Sequence, residues 1–155
     1  MEPSVFSRLE ATLRSAGVPF EVLHHEPVFT SEEAARVRGV DLSTGAKALV
    51  CKADEEFLIF VLPADRRLDS RGVRRSRGFR RLRFANKEEV LDLTGLEPGS
   101  IPPFGSLFGL STLCDERLGE NERINFNAGD HRISVSMLYA DYLRLERPEL
   151  GIWAE

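Results

Sequence analysis

The chain has 155 residues, 42% of them hydrophobic, and a formal net charge of −4 at pH 7. This length is typical of one compact domain that buries a full core without disulfides or metals, and no apolar run approaches the ~20 residues that cross a bilayer. The net acidic charge argues against a general nucleic-acid binder.

The first predicted element is an amphipathic helix over residues 4–16, where apolar side chains recur at helical spacing. Ser4 suits the N-cap position, and Gly17 followed by a valine and a proline ends the helix. The amino-terminal sequence lacks the basic start and apolar core of a signal peptide, so we expect a cytoplasmic protein.

A short strand over residues 20–23 and a second helix follow. Thr30, Ser31 and two glutamates are typical of a helix start, because a hydroxyl caps the first turn and acids suit its positive dipole. Gly39 closes this helix.

Residues 46–53 and 57–62 predict two strands. The second reads Phe-Leu-Ile-Phe-Val-Leu without a polar residue, which is typical of a central strand buried on both faces. The remaining predicted elements are a basic helix over 68–76, a strand over 81–85, an Asn86-capped helix through Leu93, strands over 107–113, 124–127 and 132–137, and a helix or turn over 136–145. This order predicts a single α/β domain (a mixture of α and β) over residues 1–155 with a mixed sheet.

Lys47 is the first candidate site residue. It lies where a Thr-Gly-Ala loop enters the strand over 46–53, and a lysine there is a point charge suited to a phosphate or a carboxylate. The alternative is an exposed lysine at a strand end without a role, and the residues alone leave both interpretations open.

The second candidate is the loop over residues 95–105, which holds three prolines and three glycines and cannot form a regular element. Proline stiffens such a loop, and glycine leaves backbone N–H groups unshielded. The segment that begins at Gly99 can therefore offer pre-organised donors to a carbonyl or hydroxyl group. A proline-rich structural turn is the alternative.

His131 lies in a predicted turn between two strands, where it is a candidate hydrogen-bond partner, acid or base, or simply a solvated histidine. No ligand spacing surrounds it, and the neighbours His24 and His25 point to opposite faces of a strand, so we expect no metal. Cys51 and Cys114 lack CxxC spacing and are expected to be small core residues. No nucleophile or nucleotide-binding motif is present, so we expect no cofactor and no covalent enzyme intermediate.

Charge is unevenly distributed along the chain. Residues 66–83 hold nine arginines and one aspartate, so this segment carries +8 and the rest of the chain −12. Such a basic strip can bind phosphate, with Arg74, Arg75, Arg77 and Arg80 as candidates. The alternative is a solvated helix face paired with acids from elsewhere.

Several short motifs stand in the order in which one family carries them. They are His25-Glu26-Pro27, Thr30 to Ala34, Gly45-Ala46-Lys47, Phe60 to Pro63, Phe84-Ala85, a GxxxP loop from Gly99 to Pro103, and Phe126 to Gly129. No single motif is specific, but the ordered set over residues 22–137 resembles the YbaK/ProX family, the editing domains associated with prolyl-tRNA synthetase.

The resemblance implies a curved mixed β-sheet of about six to seven strands flanked by helices, and a hydrolase that deacylates mischarged aminoacyl-tRNA. Alanine or cysteine on tRNA(Pro) is the implied substrate. Lys47 would be the functional lysine near the terminal adenosine of the 3′ CCA end, and Gly99 would belong to the loop that positions ester and water. The residues implied or expected to shape the pocket are Thr30, Ser31, Ile101, Pro103, Phe104, Phe126 and His131.

We expect aminoacyl-tRNA as the partner, prolyl-tRNA synthetase as a further one, and the arginine strip as a tRNA contact. Two alternatives remain open: a non-catalytic tRNA-binding or regulatory module of the same fold, and a hydrolase of small esters not attached to tRNA. Salt-dependent tRNA binding without deacylation would favour the module. Activity on a free aminoacyl ester, with no gain from attached tRNA, would favour the second alternative.

Overall fold

A computed structural model describes residues 3–155, so the first two residues of the expected domain lie outside the described part. The helices are α1 (Val5–Ser15), α2 (Ser31–Arg38), α3 (Ser70–Arg77), α4 (Lys87–Thr94) and α5 (Tyr139–Glu146). The strands are β1 (Phe20–His24), β2 (Ala46–Ala53), β3 (Glu56–Pro63), β4 (Leu82–Phe84), β5 (Ser111–Asp115), β6 (Arg123–Asn127), β7 (Ile133–Leu138) and β8 (Glu149–Gly151). None of the helices in residues 3–155 has the length and apolar character that crossing a membrane requires.

The strands form two sheets. One has five strands in the order β4-β2-β3-β5-β8, and the other has three in the order β1-β7-β6. Neighbours in the three-stranded sheet are antiparallel, whereas β3, β5 and β8 pair in parallel within the larger sheet. The prediction of a mixed sheet is confirmed, but eight strands in two sheets replace the single sheet of six to seven.

Strand β3 is central and buried on both faces, as its uninterrupted apolar sequence predicts. Ile59 and Val61 enter the main core between the two sheets, against which α1 and α5 also pack. Phe60 and Leu62 face the opposite way, into a smaller core that α3 covers through Val73. The five-stranded sheet therefore has a helix-covered surface on the side away from the main core.

Besides packing across the main core, the two sheets are joined next to the start of β2. Gly45, just before β2, forms a parallel bridge with Asn125 of β6, and β2 and β6 are in contact. Asn125 also donates a hydrogen bond from its side chain to the Thr44 hydroxyl, at 3.0 Å. Sequence patterns give the face of a strand but not its partners, so the division into two sheets could not be predicted from them.

Three element boundaries differ from the sequence-based expectation. Residues 107–113 do not form one strand, because Gly105–Phe108 is a short 3₁₀ helix and Gly109 adopts a left-handed φ of 70° before β5 begins. The final helix starts at Tyr139 rather than near 136, since β7 continues through Leu138. The three-residue strand β8 was missed because it is too short to show any periodicity.

Candidate active site

A pocket of about 180 Å³ lies at the junction of the two sheets, between α2, the start of β2 and the loop that follows α4. This volume is below the ~300–1,000 Å³ typical of pockets for drug-sized ligands, so the pocket suits a small group. It brings together six residues that the sequence singled out: Thr30, Ser31, Lys47, Gly99, Ile101 and Phe126.

Lys47 contributes a partly buried positive charge to this pocket. The alternation along β2 turns its side chain away from the core that receives Ala46 and Ala48. Burial lowers the pKa of its ammonium group; Asp65 and Glu32 act in the opposite direction, and Arg67 lowers it further. A cation that has lost part of its hydration interacts more strongly with a bound anion than a fully solvated lysine does.

The loop at Gly99 is held in place through its carbonyl groups. The Gly99 C=O accepts a hydrogen bond from the Asn127 side-chain amide at 2.7 Å, and the Ser100 C=O accepts one from the Gly129 N–H at 2.8 Å. Gly99 has a φ of 90°, which favours glycine. Gly99 and Ile101 both line the pocket, and their N–H groups donate no hydrogen bond within residues 3–155.

Arg38 is a pocket residue that the sequence interpretation missed. Its Nε donates to the Ser134 hydroxyl at 2.8 Å, and Nη2 donates to the Asn127 Oδ1 at 2.9 Å. No carboxylate in the described chain pairs with this guanidinium, and burial lowers its pKa to about 10. One signal was available in the sequence: Arg38 stands four residues after Ala34, on the face of α2 that is buried.

Asn127 couples Arg38 to the Gly99 loop, because the amide that accepts from Arg38 also donates to the Gly99 C=O. Ser134 couples the same guanidinium to His25. Since Ser134 accepts from Arg38, its hydroxyl hydrogen is left to donate to His25 Nε2 at 2.8 Å, and His25 Nδ1–H donates to the Glu26 C=O at 2.7 Å. A continuous hydrogen-bonded chain therefore supports the loop from behind.

Three predicted pocket residues, Pro103, Phe104 and His131, do not line the pocket. Phe104 is buried in the core with its ring edge against Phe126, at a centroid distance of 5.8 Å, so it supports the pocket wall from behind. The Pro103 C=O is used internally, accepting from the Tyr142 hydroxyl at 2.7 Å. Phe104 belongs to the main core and Pro103 is buried, so neither is at the pocket surface.

His131 lies next to the Gly99 loop, outside the pocket lining. Its Nδ1 bonds the Val28 C=O at 3.0 Å, and its Nε2 lies 3.4 Å from a carboxylate oxygen of Glu97. A side chain built on Gly99 would meet the His131 ring at 3.6 Å. The Phe29 ring packs on the same imidazole, 4.8 Å between centroids, and is 70% exposed at the rim of the pocket.

The groups suited to acid–base or metal chemistry are few. Asp41 is the one carboxylate among the lining residues of the described pocket, and no histidine or cysteine lines it. In residues 3–155 no group of three or more His, Cys, Asp or Glu is arranged to hold a metal ion. Cys51 and Cys114 are buried, as expected, and burial raises the pKa of each thiol to about 12, so neither is a nucleophile near neutral pH.

The four candidate arginines of the basic strip lie outside the pocket, on α3 and just beyond it. Arg74 and Arg75 are exposed. Arg77 is engaged, since it pairs with Glu149 at 2.6 Å and lies over the Phe79 ring. Arg80 is exposed beside β4, in a segment fixed by backbone hydrogen bonds to the Asp54 carboxylate.

Comparison with known proteins connects this geometry to one family. The family model for the aminoacyl-tRNA editing domain matches residues 25–145. The chain is 39% identical over 148 residues to the multifunctional Ser/Thr-tRNA deacylase ProXp-y of Escherichia coli (strain K12), a match that covers 92% of this chain and 89% of that protein.

Two further similarities extend the comparison. The chain is 32% identical over 130 residues to the proline–tRNA ligase of Bacillus licheniformis, covering 75% of this chain but 23% of the ligase. A crystal structure described as that of a candidate trans-editing enzyme for prolyl-tRNA synthetase superimposes with a TM-score of 0.87 at 25% identity. That match covers 100% of this chain and 99% of the other.

Proposed function

We propose, on the premise that the chain belongs to the aminoacyl-tRNA editing domain family and is an aminoacyl-tRNA deacylase, that the Lys47–Gly99 pocket hydrolyses the ester of a small amino acid. Family membership confirms the resemblance seen in the ordered motifs. Serine and threonine are the amino acids we propose first, with alanine and cysteine, the sequence-based expectation, as the alternatives.

The observation that carries this proposal is the meeting of Lys47 and Gly99 in one small pocket. The terminal adenosine of tRNA carries the ester, next to a phosphate that Lys47 would hold by charge. The ester carbonyl would then lie at the Gly99 loop. Two N–H groups without internal partners, those of Gly99 and Ile101, are suited to stabilise the oxyanion that forms when the carbonyl is attacked.

The reaction requires one water and no enzyme-bound intermediate. The water oxygen attacks the ester carbonyl carbon, the bond from that carbon to the ribose oxygen breaks, and the water's proton passes to the departing ribose oxygen. The pocket offers no histidine as a base, so we propose that the vicinal ribose hydroxyl orients the water and relays the proton. Pre-organised donors and the Lys47 charge are then the protein's main contribution.

Pocket size is the proposed basis of amino-acid selection. Ala34, Ala46, Ala48 and Phe126 are among the residues that line the pocket, and its volume is about 180 Å³. A surplus methylene group in a confined pocket changes discrimination by ~1–3 kcal/mol, or about 10–200-fold. Small side chains would enter, and large aliphatic or aromatic ones would be rejected.

Two observations favour a hydroxyl-bearing amino acid. The Escherichia coli relative is named a Ser/Thr-tRNA deacylase. In this chain, Ser31 lines the pocket and its hydroxyl makes no hydrogen bond within residues 3–155. The Thr30 hydroxyl, by contrast, caps α2 by accepting from the Glu33 N–H. Ser31 is therefore the side chain that we propose as a partner for the substrate hydroxyl.

A deacylation screen tests the function. We expect seryl and threonyl esters on non-cognate tRNAs to be hydrolysed at least about tenfold faster than the alanyl ester, and leucyl or phenylalanyl esters about 100-fold more slowly than seryl. The measurement is release of labelled amino acid from tRNA(Pro), tRNA(Ala), tRNA(Cys) and tRNA(Thr), each charged with the test amino acids. The Lys47→Ala protein provides the background rate.

Three other outcomes of the deacylation screen would contradict parts of this proposal. Preference for the alanyl or cysteinyl ester would overturn the hydroxyl proposal and support the sequence-based expectation. Hydrolysis of leucyl and seryl esters at similar rates would overturn selection by pocket size. Tight, salt-dependent tRNA binding without hydrolysis of any ester would support the non-catalytic module instead.

Arg38 is proposed as a positioning residue, because it reaches the reacting loop only through Asn127. We expect Arg38→Lys to lower kcat about 10–100-fold with little change in KM, since a lysine keeps the charge but cannot hold Ser134 and Asn127 together. The matched control is Arg36→Lys on the same helix, at an exposed position.

A double-mutant cycle separates positioning from a general loss of stability. If Arg38 acts through Asn127, adding Asn127→Ala to Arg38→Lys should cost much less than Asn127→Ala costs alone. Fully additive losses would show that the two residues act independently. An Arg38→Lys protein as active as the Arg36→Lys control would exclude the positioning role.

The remaining proposals concern context. Support for residues 1–155 as one editing domain comes from the family match over residues 25–145. Prolyl-tRNA synthetase is proposed as a partner because the chain is similar to part of a proline–tRNA ligase. A cytoplasmic location follows from the tRNA substrate and is proposed on that basis.

A further inference from the structure

The arginines of α3 are not needed to build the fold. Val73 is the residue of this helix that enters the core, and the ends of α3 are formed by the Asp69 cap and by Gly78 in a left-handed conformation. At 100° per residue, Arg71 and Arg75 lie on the side opposite Val73 and face solvent. Like charges four residues apart destabilise a helix, so neither arginine contributes to local stability.

Four arginines, Arg67, Arg71, Arg74 and Arg75, are exposed and form no ion pair within residues 3–155; we call them the α3 arginine surface. Two other arginines of the basic strip are neutralised, Arg77 by Glu149 and Arg83 by Glu89. In residues 3–155, no aspartate or glutamate forms an ion pair with any of the four arginines of the α3 arginine surface. Such unneutralised charge is what counterion release from a polyanion requires.

The α3 arginine surface lies on the same side of the five-stranded sheet as Lys47. Lys47, Leu49 and Cys51 alternate with the residues of β2 that enter the main core, and Cys51 packs in the smaller core with Val73. Arg67 is near enough for its charge to act on Lys47. From Lys47 to Cys51 the strand rises ~13 Å, so the surface begins beside the pocket and continues away from it.

The backbone that leads into this surface is held by hydrogen bonds. The Arg67 C=O accepts from the Glu155 N–H at 2.8 Å, and the Asp69 N–H donates to the Trp153 C=O at 2.9 Å. Asp69 in turn caps α3 by accepting from the Gly72 N–H at 3.0 Å. The segment leading into the helix is thus fixed to the carboxyl-terminal segment, and little ordering of the backbone is needed when a ligand binds.

We infer that the α3 arginine surface binds the phosphodiester backbone of the tRNA acceptor arm while the 3′ end occupies the Lys47 pocket. This inference rests on the proposed function, which places the 3′ end at Lys47. The contact is to phosphates, so it contributes affinity and orientation without reading sequence. It explains how a chain of net charge −4 can hold a polyanion: positive charge is concentrated in residues 66–83, which carry +8.

The test compares two double variants that change net charge equally, from −4 to −6. Arg71→Gln with Arg75→Gln removes charge from the surface, and Arg14→Gln with Arg144→Gln removes it from α1 and α5, which pack on the opposite side of the five-stranded sheet. Binding of uncharged tRNA is measured by fluorescence anisotropy at 50 and 200 mM salt. Each lost phosphate contact lowers the salt slope by about one, so wild-type affinity should fall about tenfold more over this range than that of the α3 variant.

Deacylation kinetics provide the second readout. We expect the α3 variant to have a raised KM for aminoacyl-tRNA, an unchanged kcat, and wild-type activity on the aminoacyl ester of adenosine alone. The α1/α5 variant should match the wild type in all three measurements. Unfolding temperatures show whether each variant is folded. The single Arg74→Gln variant repeats the binding test, and its loss of tRNA affinity between 50 and 200 mM salt should be about threefold smaller than that of the wild type.

Two results would overturn the inference. One is an α3 variant whose tRNA affinity and salt dependence equal those of the wild type. The other is equal loss of activity on aminoacyl-tRNA and on the adenosine ester, which would place the effect in the pocket. The binding comparison uses uncharged tRNA and needs no turnover, so it remains decisive even if the wild type deacylates none of the esters in the screen and the proposed function fails.

Discussion

Replacing Lys47 by alanine is expected to lower kcat/KM for mischarged tRNA about 10²–10³-fold and to leave the fold intact. The expected size is that of removing one pre-organised group that stabilises transition-state charge in a confined site. Lys47 lies at the pocket edge and not in either core, so its aliphatic chain contributes little to packing. The measurement is single-turnover deacylation, with the unfolding temperature recorded for the same protein.

The same strand contains a matched control. Lys52 is near the other end of β2, where its ammonium lies over the Phe57 ring at 5.7 Å, outside the pocket. Lys52→Ala removes an equal charge and should deacylate at the wild-type rate. Equal rates for Lys47→Ala and Lys52→Ala would show that the strand-end charge has no part in the reaction.

The pH dependence gives an independent check on Lys47. Because burial lowers the pKa of Lys47 below that of an ordinary lysine, its positive charge is lost at a lower pH than an ordinary lysine would lose it. The enzyme-catalysed rate, after subtraction of spontaneous ester hydrolysis, should therefore fall on the alkaline side. The residual rate of Lys47→Ala should lack this fall.

Local signals made most of the fold predictable from the sequence. Ser4, Thr30 and Asn86 each cap a helix by accepting from the N–H three residues later, as expected from residue type alone. Gly39 and Gly95 end helices in the left-handed conformation. These features depend on a few neighbouring residues, which is why they could be read without knowledge of the tertiary structure.

The features that escaped prediction depend on distant partners. Arg38 acquires its place in the site only because Asn127 and Ser134 pair across β6 and β7, about 90 residues further along the chain. Phe104 belongs to the GxxxP region, yet it packs into the core because Phe126 and Tyr142 surround it. Motif position indicated which segments form the site, but packing decided which side chains line the pocket.

Gly99→Ala tests the loop itself, and it is the second variant with a large expected effect. Gly99 has a φ of 90°, which an alanine adopts only at a strain of ~1–3 kcal/mol. The added methyl group would meet the His131 ring at 3.6 Å, an ordinary contact, so strain and not collision is the cost. We expect the loop to relieve the strain by turning the peptide between Pro98 and Gly99, which changes the direction of the Gly99 N–H, while the Gly99 C=O stays held by Asn127.

We expect this change to lower kcat about 10²–10³-fold, the cost of losing one oxyanion donor, with a much smaller change in KM. Gly95→Ala is the matched control, because Gly95 has a φ of 75°, an open environment and a place at the start of the same loop. The unfolding temperature of both variants should fall by a similar amount, a few degrees for ~1 kcal/mol of lost stability in a chain of this size. Similar destabilisation with activity lost only in Gly99→Ala would assign the effect to the direction of one N–H group. Wild-type turnover by Gly99→Ala would remove the loop from the mechanism and leave the Lys47 charge as the main stabilising group.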